Sequence, residues 1–351
     1  MLLGGISERN KELVGFCGRR HILRKAPQFH VDLHLLPEKE MKFYKTWILR
    51  TDKEREEIAS YEQPSEKWKL SRRYRITGSK FPGAVGHNHY ESPKKVAHEM
   101  IHGEFKGNKH TRRGNELEPK ACAVIEEREK MKVEMDLKEA QLEGRTFIRY
   151  ANREFSIPSD YTGKVYEIRH QGLVVCKEMP WIAASSDGDI YLFGKMIGQI
   201  EIKCPGRNQF YPLTPAYYFD QIQGNMYLSQ AAFCLVVVYT ENPGAINVEQ
   251  IEYDREYCEQ FLIPSLNAFW FKTLLPMAIA FEEDRLIKLS TLTTSSSSSS
   301  APSSQSFPIW THFGGLKHDK DDIPVSTKRK REATTTTKRT TKKKNKTALT
   351  G

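Results

Sequence analysis

The chain has 351 residues, with 54 Lys and Arg against 44 Asp and Glu, and a formal net charge of +10. That length suits one large domain or two ordinary ones. No apolar run approaches the ~18 residues of a membrane-spanning helix, and the Met-Leu-Leu-Gly-Gly-Ile start is too short for a secretory signal core, so secretion is not expected.

Cys17, Cys122, Cys176, Cys204, Cys234 and Cys258 include no Cys-x-x-Cys pair. Reduced thiols in a cytoplasmic or nuclear setting are therefore expected, and a zinc knuckle or disulfide scaffold is not. The charge is uneven: from Ser295 onward 12 Lys and Arg face 4 Asp and Glu, so the tail carries +8 of the +10. A nearly neutral body can still focus charge in one cleft.

Residues 1–36 are basic and irregular, with Arg19-Arg20-His21. Pro37, Glu38 and Glu40, followed by Met41, Tyr44 and Ile48 at helical spacing, predict a helix over 37–62, a docking helix or part of an arm. Trp68 to Ser79 is dense in cations and ends in Thr77-Gly78-Ser79. It reads as an exposed basic loop with an N-cap serine, or as a phosphate seat built from guanidinium, hydroxyl and helix-start N–H groups. A short amphipathic helix is expected over 93–104. A Glu/Lys-rich helix is expected to follow, with Pro119 in its first turn and Glu118 near its N-terminus.

From Thr146 the period shifts towards two, predicting strands at 146–150, 164–168, 172–176, 181–185, 189–193 and 197–204. In the last of these, Ile200 and Ile202 alternate with Glu201 and Lys203. The two isoleucines should bury on one face and the charged pair project from the other. A carboxylate and an ammonium on a buried strand are costly without a task, and Ser185-Ser186-Asp187-Gly188 upstream brings a second carboxylate on a turn. Hard carboxylate oxygens hold magnesium, which acts on phosphates. Taken alone, Glu-Ile-Lys fits a solvated strand face with a cross-strand ion pair better than a metal site.

A helix is expected over 216–232, with Gln221 and Asn225 on one edge that reads as solvated. Strands are expected at 233–240, buried on both faces, and at 247–253. A long helix over 254–287 should be kinked or broken at Pro264 and Pro276. After Lys288 the composition turns to Ser, Thr and Lys, a disordered tail. Its Lys328, Arg329, Lys330 and Arg331 fit a nuclear localisation signal or a non-specific DNA patch.

Together these motifs resemble the lambda-exonuclease or YqaJ-like viral recombinase family, within the PD-(D/E)xK restriction-endonuclease-like superfamily. The residues that carry the likeness are Arg72 with Ser79 seven residues later, Gly114-x-x-x-Glu118, Ser185-Ser186-Asp187-Gly188, Glu201-Ile202-Lys203-Cys204-Pro205 and Gln221-Ile222-Gln223, over about Trp68 to Phe281. Ser186 stands where the family has Pro. The resemblance implies an α/β fold: a restriction-endonuclease-like core with a mixed twisted sheet flanked by helices. Residues 1–67 would be an N-terminal extension, 68–288 the nuclease domain and 289–351 the disordered tail.

It implies a magnesium-dependent 5′→3′ exonuclease on double-stranded DNA, generating 3′ single strands for recombination or replication. Two ions, Mg²⁺ or Mn²⁺, are implied, with Asp187, Glu201, the Ile202 carbonyl and Glu118 as ligands and Lys203 as the catalytic cation. Arg72, Ser79, Ser185 and Gln221 would form the 5′-phosphate pocket. The implied partners are duplex DNA ends, a single-strand annealing or binding protein and further copies of the chain, with no membrane and a nuclear or cytoplasmic setting. The alternatives are a DNA endonuclease on the same core and a non-catalytic DNA-binding recombination protein.

Overall fold

Runs of β-branched residues set the centre of the molecule. The computed structural model describes residues 31–103, 109–206, 214–241 and 245–295. The Arg19-Arg20-His21 segment and the Lys328–Arg331 cluster lie outside them.

The single helix expected over 37–62 is two. Helix α1 (Glu38–Phe43) runs on as a π turn to Ile48 and stops. Thr51 then starts α2 (Asp52–Ala59) with a capping box, its hydroxyl accepting from the Glu54 N–H while Glu54 accepts from the Thr51 N–H. Phe43, Tyr44 and Ile48 bury in the same core as Tyr74 and Trp181. Helix α3 (Glu66–Ser71) is capped by Ser65. Strand β1 (Ile76–Thr77), which the basic composition of its neighbourhood hid, leads into a 3₁₀ turn at Gly78–Lys80 and α4 (Phe81–Ala84).

Helix α5 (Pro93–His102) is capped by Ser92. Helix α6 (Lys109–Glu143) has 35 residues, and Pro119 lies inside it, not in its first turn as expected. Glu118 is therefore ten residues into the helix as described, and the N-terminal dipole cannot explain it, since that effect fades within the first turn.

A hairpin of β2 (Phe147–Tyr150) and β3 (Arg153–Ser156) follows. Strands β4 (Tyr166–Arg169), β7 (Gly188–Leu192), β8 (Lys195–Lys203), β9 (Phe233–Thr240) and β10 (Ala245–Glu252) form a five-stranded sheet in the order β10-β9-β8-β7-β4. Only β8 and β9 run parallel, so the sheet is mixed. Strands β5 (Val174–Val175) and β6 (Ile182–Ala184) join β1 in a small second sheet. The β7–β8 turn places Phe193 at φ 49° and Gly194 at φ 74°, the left-handed pair that a two-residue hairpin needs.

Helix α7 (Ala216–Ser229) packs on one face of the five-stranded sheet and α6 on the other. Ile200, Ile202, Phe233, Leu235 and Val237 share a core with Leu117, Ala121 and Ile125 of α6. Cys234 and Val236 point the other way, into the core that holds Phe219, Ile222 and Met226 of α7.

The C-terminal helical run does not break at its prolines. It passes through α8 (Arg255–Tyr257), α9 (Ile263–Phe269) and α10 (Leu275–Ser295), joined by π turns at Cys258–Leu262 and Trp270–Leu274. Each π turn lies just ahead of a proline, Pro264 or Pro276, where the wider i→i+5 ladder absorbs the missing N–H and the ring. By length and composition the run Arg255–Lys288 could cross a membrane, a span not anticipated from its sequence. Here 56% of its most apolar window is buried, with Leu262, Leu266, Trp270 and Leu274 at 0% exposure in the core.

The α7–α4 contact depends on a glycine. A Cβ on Gly224 would lie 2.3 Å from the Phe81 ring, and Phe81 is fully buried. Gly224→Ala is expected to destabilise the fold by about 1–3 kcal/mol, the usual cost of forcing a methyl into a packed core. An unchanged thermal midpoint would show that α4 can retreat.

Candidate active site

The C-terminal end of β8 opens into a cavity of about 640 Å³. Five separate parts of the chain converge on it. The β6–β7 turn brings Ser185 and Asp187. Strand β8 brings Glu201, Ile202 and Lys203, α6 brings Gly114, Asn115 and Glu118, and α7 brings Tyr218 and Gln221. The α3 region and the 3₁₀ turn bring Trp68, Arg72, Gly78 and Ser79. All nine residues singled out from the sequence as catalytic, metal-holding or phosphate-binding line this one space.

Glu201 is the most constrained of them, at 2% exposure. It faces α7, not solvent, so the solvated-face reading of Glu-Ile-Lys does not hold. One oxygen accepts from Lys203 Nζ at 2.5 Å and from Gln221 Nε2 at 2.5 Å, and the other accepts from Asn225 Nδ2 at 3.3 Å. Gln221, half-buried, and Asn225, buried, one helical turn apart, thus form a polar edge aimed at the carboxylate, not the solvated edge their polarity suggests.

Asp187 accepts from the backbone N–H of Ile202 at 2.6 Å, which ties the turn to β8. Ser186, in place of proline, donates to Asp189 at 2.8 Å and so holds the same turn by a side-chain bond. Lys203 also lies over the Tyr218 ring at 4.6 Å.

The electrostatics follow from burial and crowding. Burial, then Glu201 and Glu118, raise the Asp187 pKa well above the ordinary carboxylate range. Burial and Glu201 also raise that of Glu118. Burial alone would lower the Lys203 pKa, but Glu201 and Asp187 more than offset it and hold the ammonium charged. Three carboxylates sharing one enclosed space repel each other, and a hard divalent cation would relieve that repulsion, so the donor set fits one. Among the described residues, no three His, Cys, Asp or Glu side chains stand at direct ligand spacing to one another; the acceptors of Glu201 are occupied by protein donors.

Beside the carboxylates lies a cationic pocket. The Arg72 guanidinium stacks over Trp68 at 4.2 Å and donates to Thr77 at 2.9 Å. Burial pushes its pKa down to about 10, still far above neutral pH. Trp68 donates to Ser185 at 3.4 Å, and Ser185 donates to the Gly172 carbonyl at 3.0 Å.

The turn after Arg72 is held firmly. Tyr74 adopts φ 61°, a left-handed conformation unusual for a bulky residue. Its carbonyl accepts from Trp270 Nε1 at 3.0 Å, and its hydroxyl donates to the buried Glu282, which also accepts from Arg73 at 3.0 Å. Arg75, 2% exposed, donates to the carbonyls of Ile48, Ser71 and Pro180.

The family model for the YqaJ-like viral recombinase domain matches residues 67–232. Among solved structures, the alkaline exonuclease LHK-Exo from Laribacter hongkongensis is 19% identical, with 64% of this chain and 100% of that one covered and a TM-score of 0.40. A second structure of LHK-Exo, in complex with dAMP, is 20% identical with the same coverage and TM-score. A phage-related exonuclease from Haemophilus somnus 129PT is 18% identical, covering 58% of this chain and 94% of that one, with a TM-score of 0.34. No curated protein matches the chain.

The matched residues 67–232 hold every residue singled out as catalytic, metal-holding or phosphate-binding. Asn115, Tyr218 and Asn225 belong to the same constellation, though no motif pointed to them, while Thr77 of the Thr77-Gly78-Ser79 stretch bonds Arg72. Only the i, i+4 spacing of Gln221 and Asn225 carried a signal, and whether such an edge is buried depends on the sheet beneath it. Gln223, inside the Gln-x-Gln motif, instead braces the fold: it donates to the Glu252 carbonyl and accepts from the Asp254 N–H, each at 2.8 Å. Asp220, beside Gln221, anchors α7 through Tyr257 and through His87 at 2.9 Å.

Proposed function

We propose that the protein is a divalent-metal-dependent DNA exonuclease that digests duplex DNA from its 5′ ends and leaves 3′ single strands. One observation carries this reading. The carboxylate–lysine cluster of Asp187, Glu201, Glu118 and Lys203 opens into the same cavity as the Arg72, Ser79 and Ser185 pocket of a YqaJ-like viral recombinase domain.

Asp187, Glu201, the Ile202 carbonyl and Glu118 would hold one or two Mg²⁺ or Mn²⁺ ions. When bound, such ions supply Lewis acidity towards a phosphodiester and a water activated at neutral pH. Lys203, kept charged by its carboxylate neighbours, orients the attacking water and offsets the charge that develops on the phosphate. Arg72 presents its guanidinium to a terminal phosphate, with Ser79 and Ser185 offering hydroxyls. Gln221 joins the two halves, since it lines the cavity and donates to Glu201. Duplex DNA ends are the substrate on this reading, and the 3′ strand would pass to a single-strand annealing or binding protein.

Digestion of an end-labelled linear duplex tests the reading. Shortening from the 5′ end with Mg²⁺, abolished by EDTA, is the expected result. Internal cuts in a closed circle would favour an endonuclease, and no cleavage with either Mg²⁺ or Mn²⁺ would leave a DNA-binding protein.

A further inference from the structure

Helix α6 is apolar on two opposite faces. Ile125, Val133 and Ala140 point into the core at 0% exposure. On the far side Val124, Met131, Met135 and Leu142 are 39%, 52%, 63% and 89% exposed. At about 100° per residue these four fall within roughly 40° of one another, along about 27 Å of helix. An aligned apolar stripe of that kind on a surface marks a contact.

The order of the stripe says what it contacts. Val124 and Leu142 are equally distant in sequence from Val133, and so are Met131 and Met135. Turned end for end about that point, the helix meets its own pattern. Val124 then faces Leu142 of the second copy, and Met131 faces Met135. The flanking charges obey the same symmetry. Glu127 and Lys138 border the stripe on one side, Arg128 and Glu139 on the other, and Glu127, Lys138 and Glu139 are exposed. In an antiparallel helix pair like sides meet. Glu127 therefore meets Lys138 of the second copy, and Arg128, which also approaches Glu129 at 3.7 Å, meets Glu139. A parallel pair in register would instead set Met131 on Met131 and Glu127 against Arg128 of the second copy, an arrangement that the double charge reversal and the V124C cross-link below distinguish from the antiparallel one.

We propose that two copies of this chain associate through α6, antiparallel about a two-fold axis near Val133. A single helix pair is a small interface, so the association is expected to depend on concentration. Gly114, Asn115 and Glu118 line the cavity from the N-terminal side of the stripe, so the pairing is independent of the nuclease reading.

Sedimentation velocity of the full chain over a wide concentration range tests it. The mass should rise from one chain to two, and the M131E/M135E variant should stay at one chain with an unchanged circular dichroism spectrum, because both side chains are exposed. K138E should weaken the pairing and E127K/K138E should restore it. V124C/L142C should form an intermolecular disulfide, mapped by peptide mass, while V124C alone should not. A one-chain mass at every concentration, no recovery in the double charge reversal, or cross-linking of V124C alone would overturn the proposal.

Discussion

Asp187→Asn is expected to lower DNA cleavage on the order of 10²–10³-fold, the loss seen when one electrostatic group aimed at a reacting centre is removed, while the fold keeps its stability or gains some. The two halves have separate causes. Asp187 sits with Glu201 and Glu118 in one enclosed space, and its raised pKa records how poorly its charge is accommodated there. Removing that charge relieves repulsion in the folded state. The asparagine oxygen still accepts from the Ile202 N–H, the 2.6 Å bond that sets the turn. Asp187→Ala would confuse the result, because a buried N–H left without its acceptor costs about 1–3 kcal/mol. Glu201 is a poorer test for the same reason, since its loss would strand Lys203, Gln221 and Asn225 together. Thermal unfolding and a duplex digestion assay on the same preparation decide it. A stable Asp187→Asn protein that cuts at the wild-type rate removes Asp187 from the chemistry. A protein that loses both activity and stability shows that the turn was holding the fold.

What could be read from the sequence follows the range of the physics involved. Strand β9 is a continuous apolar run buried on both sides, and its bounds, Phe233–Thr240, are those the run itself suggests. The separation of Ile200 and Ile202 from Glu201 and Lys203 follows from the two-residue period of a strand, and the structure shows it. Strand β1 was not legible, because its two residues are stabilised by parallel pairing with β6, more than a hundred positions away. Pro119 misled because proline favours a helix start in general, while here the packing of Leu117, Ala121 and Ile125 carries α6 straight through it. The gathering of the site was legible only as an ordered set of motifs. Each motif alone had an ordinary structural reading, and what sets them together is the fold. Asn225 carried no motif at all, and its place is known only from the carboxylate it meets.

The sharpest separation between an exonuclease and an endonuclease comes from Arg72. A terminal phosphate carries about one more negative charge at neutral pH than an internal diester, its second pKa being about 6. The Arg72 guanidinium is set for such a group. It is stacked on Trp68, keeps one bond to Thr77 and is partly stripped of water, with its pKa down to about 10. The turn that follows it is clamped by Glu282 and Trp270, so little ordering remains to be done when a ligand arrives. A hydrogen bond to a charged group contributes roughly 1.5–3 kcal/mol, and each 1.36 kcal/mol is about tenfold in rate. Arg72→Ala is therefore expected to slow digestion of 5′-phosphorylated ends by about ten- to a few hundred-fold. Ends bearing a 5′-hydroxyl never used that charge and should slow much less. The measurement is the ratio of the two rates in wild type and variant, which cancels any general loss of folded enzyme. If both substrates slow equally, Arg72 is a backbone contact along the duplex, the pocket beside Ser79 and Ser185 does not select ends, and the cavity is better read as that of an endonuclease.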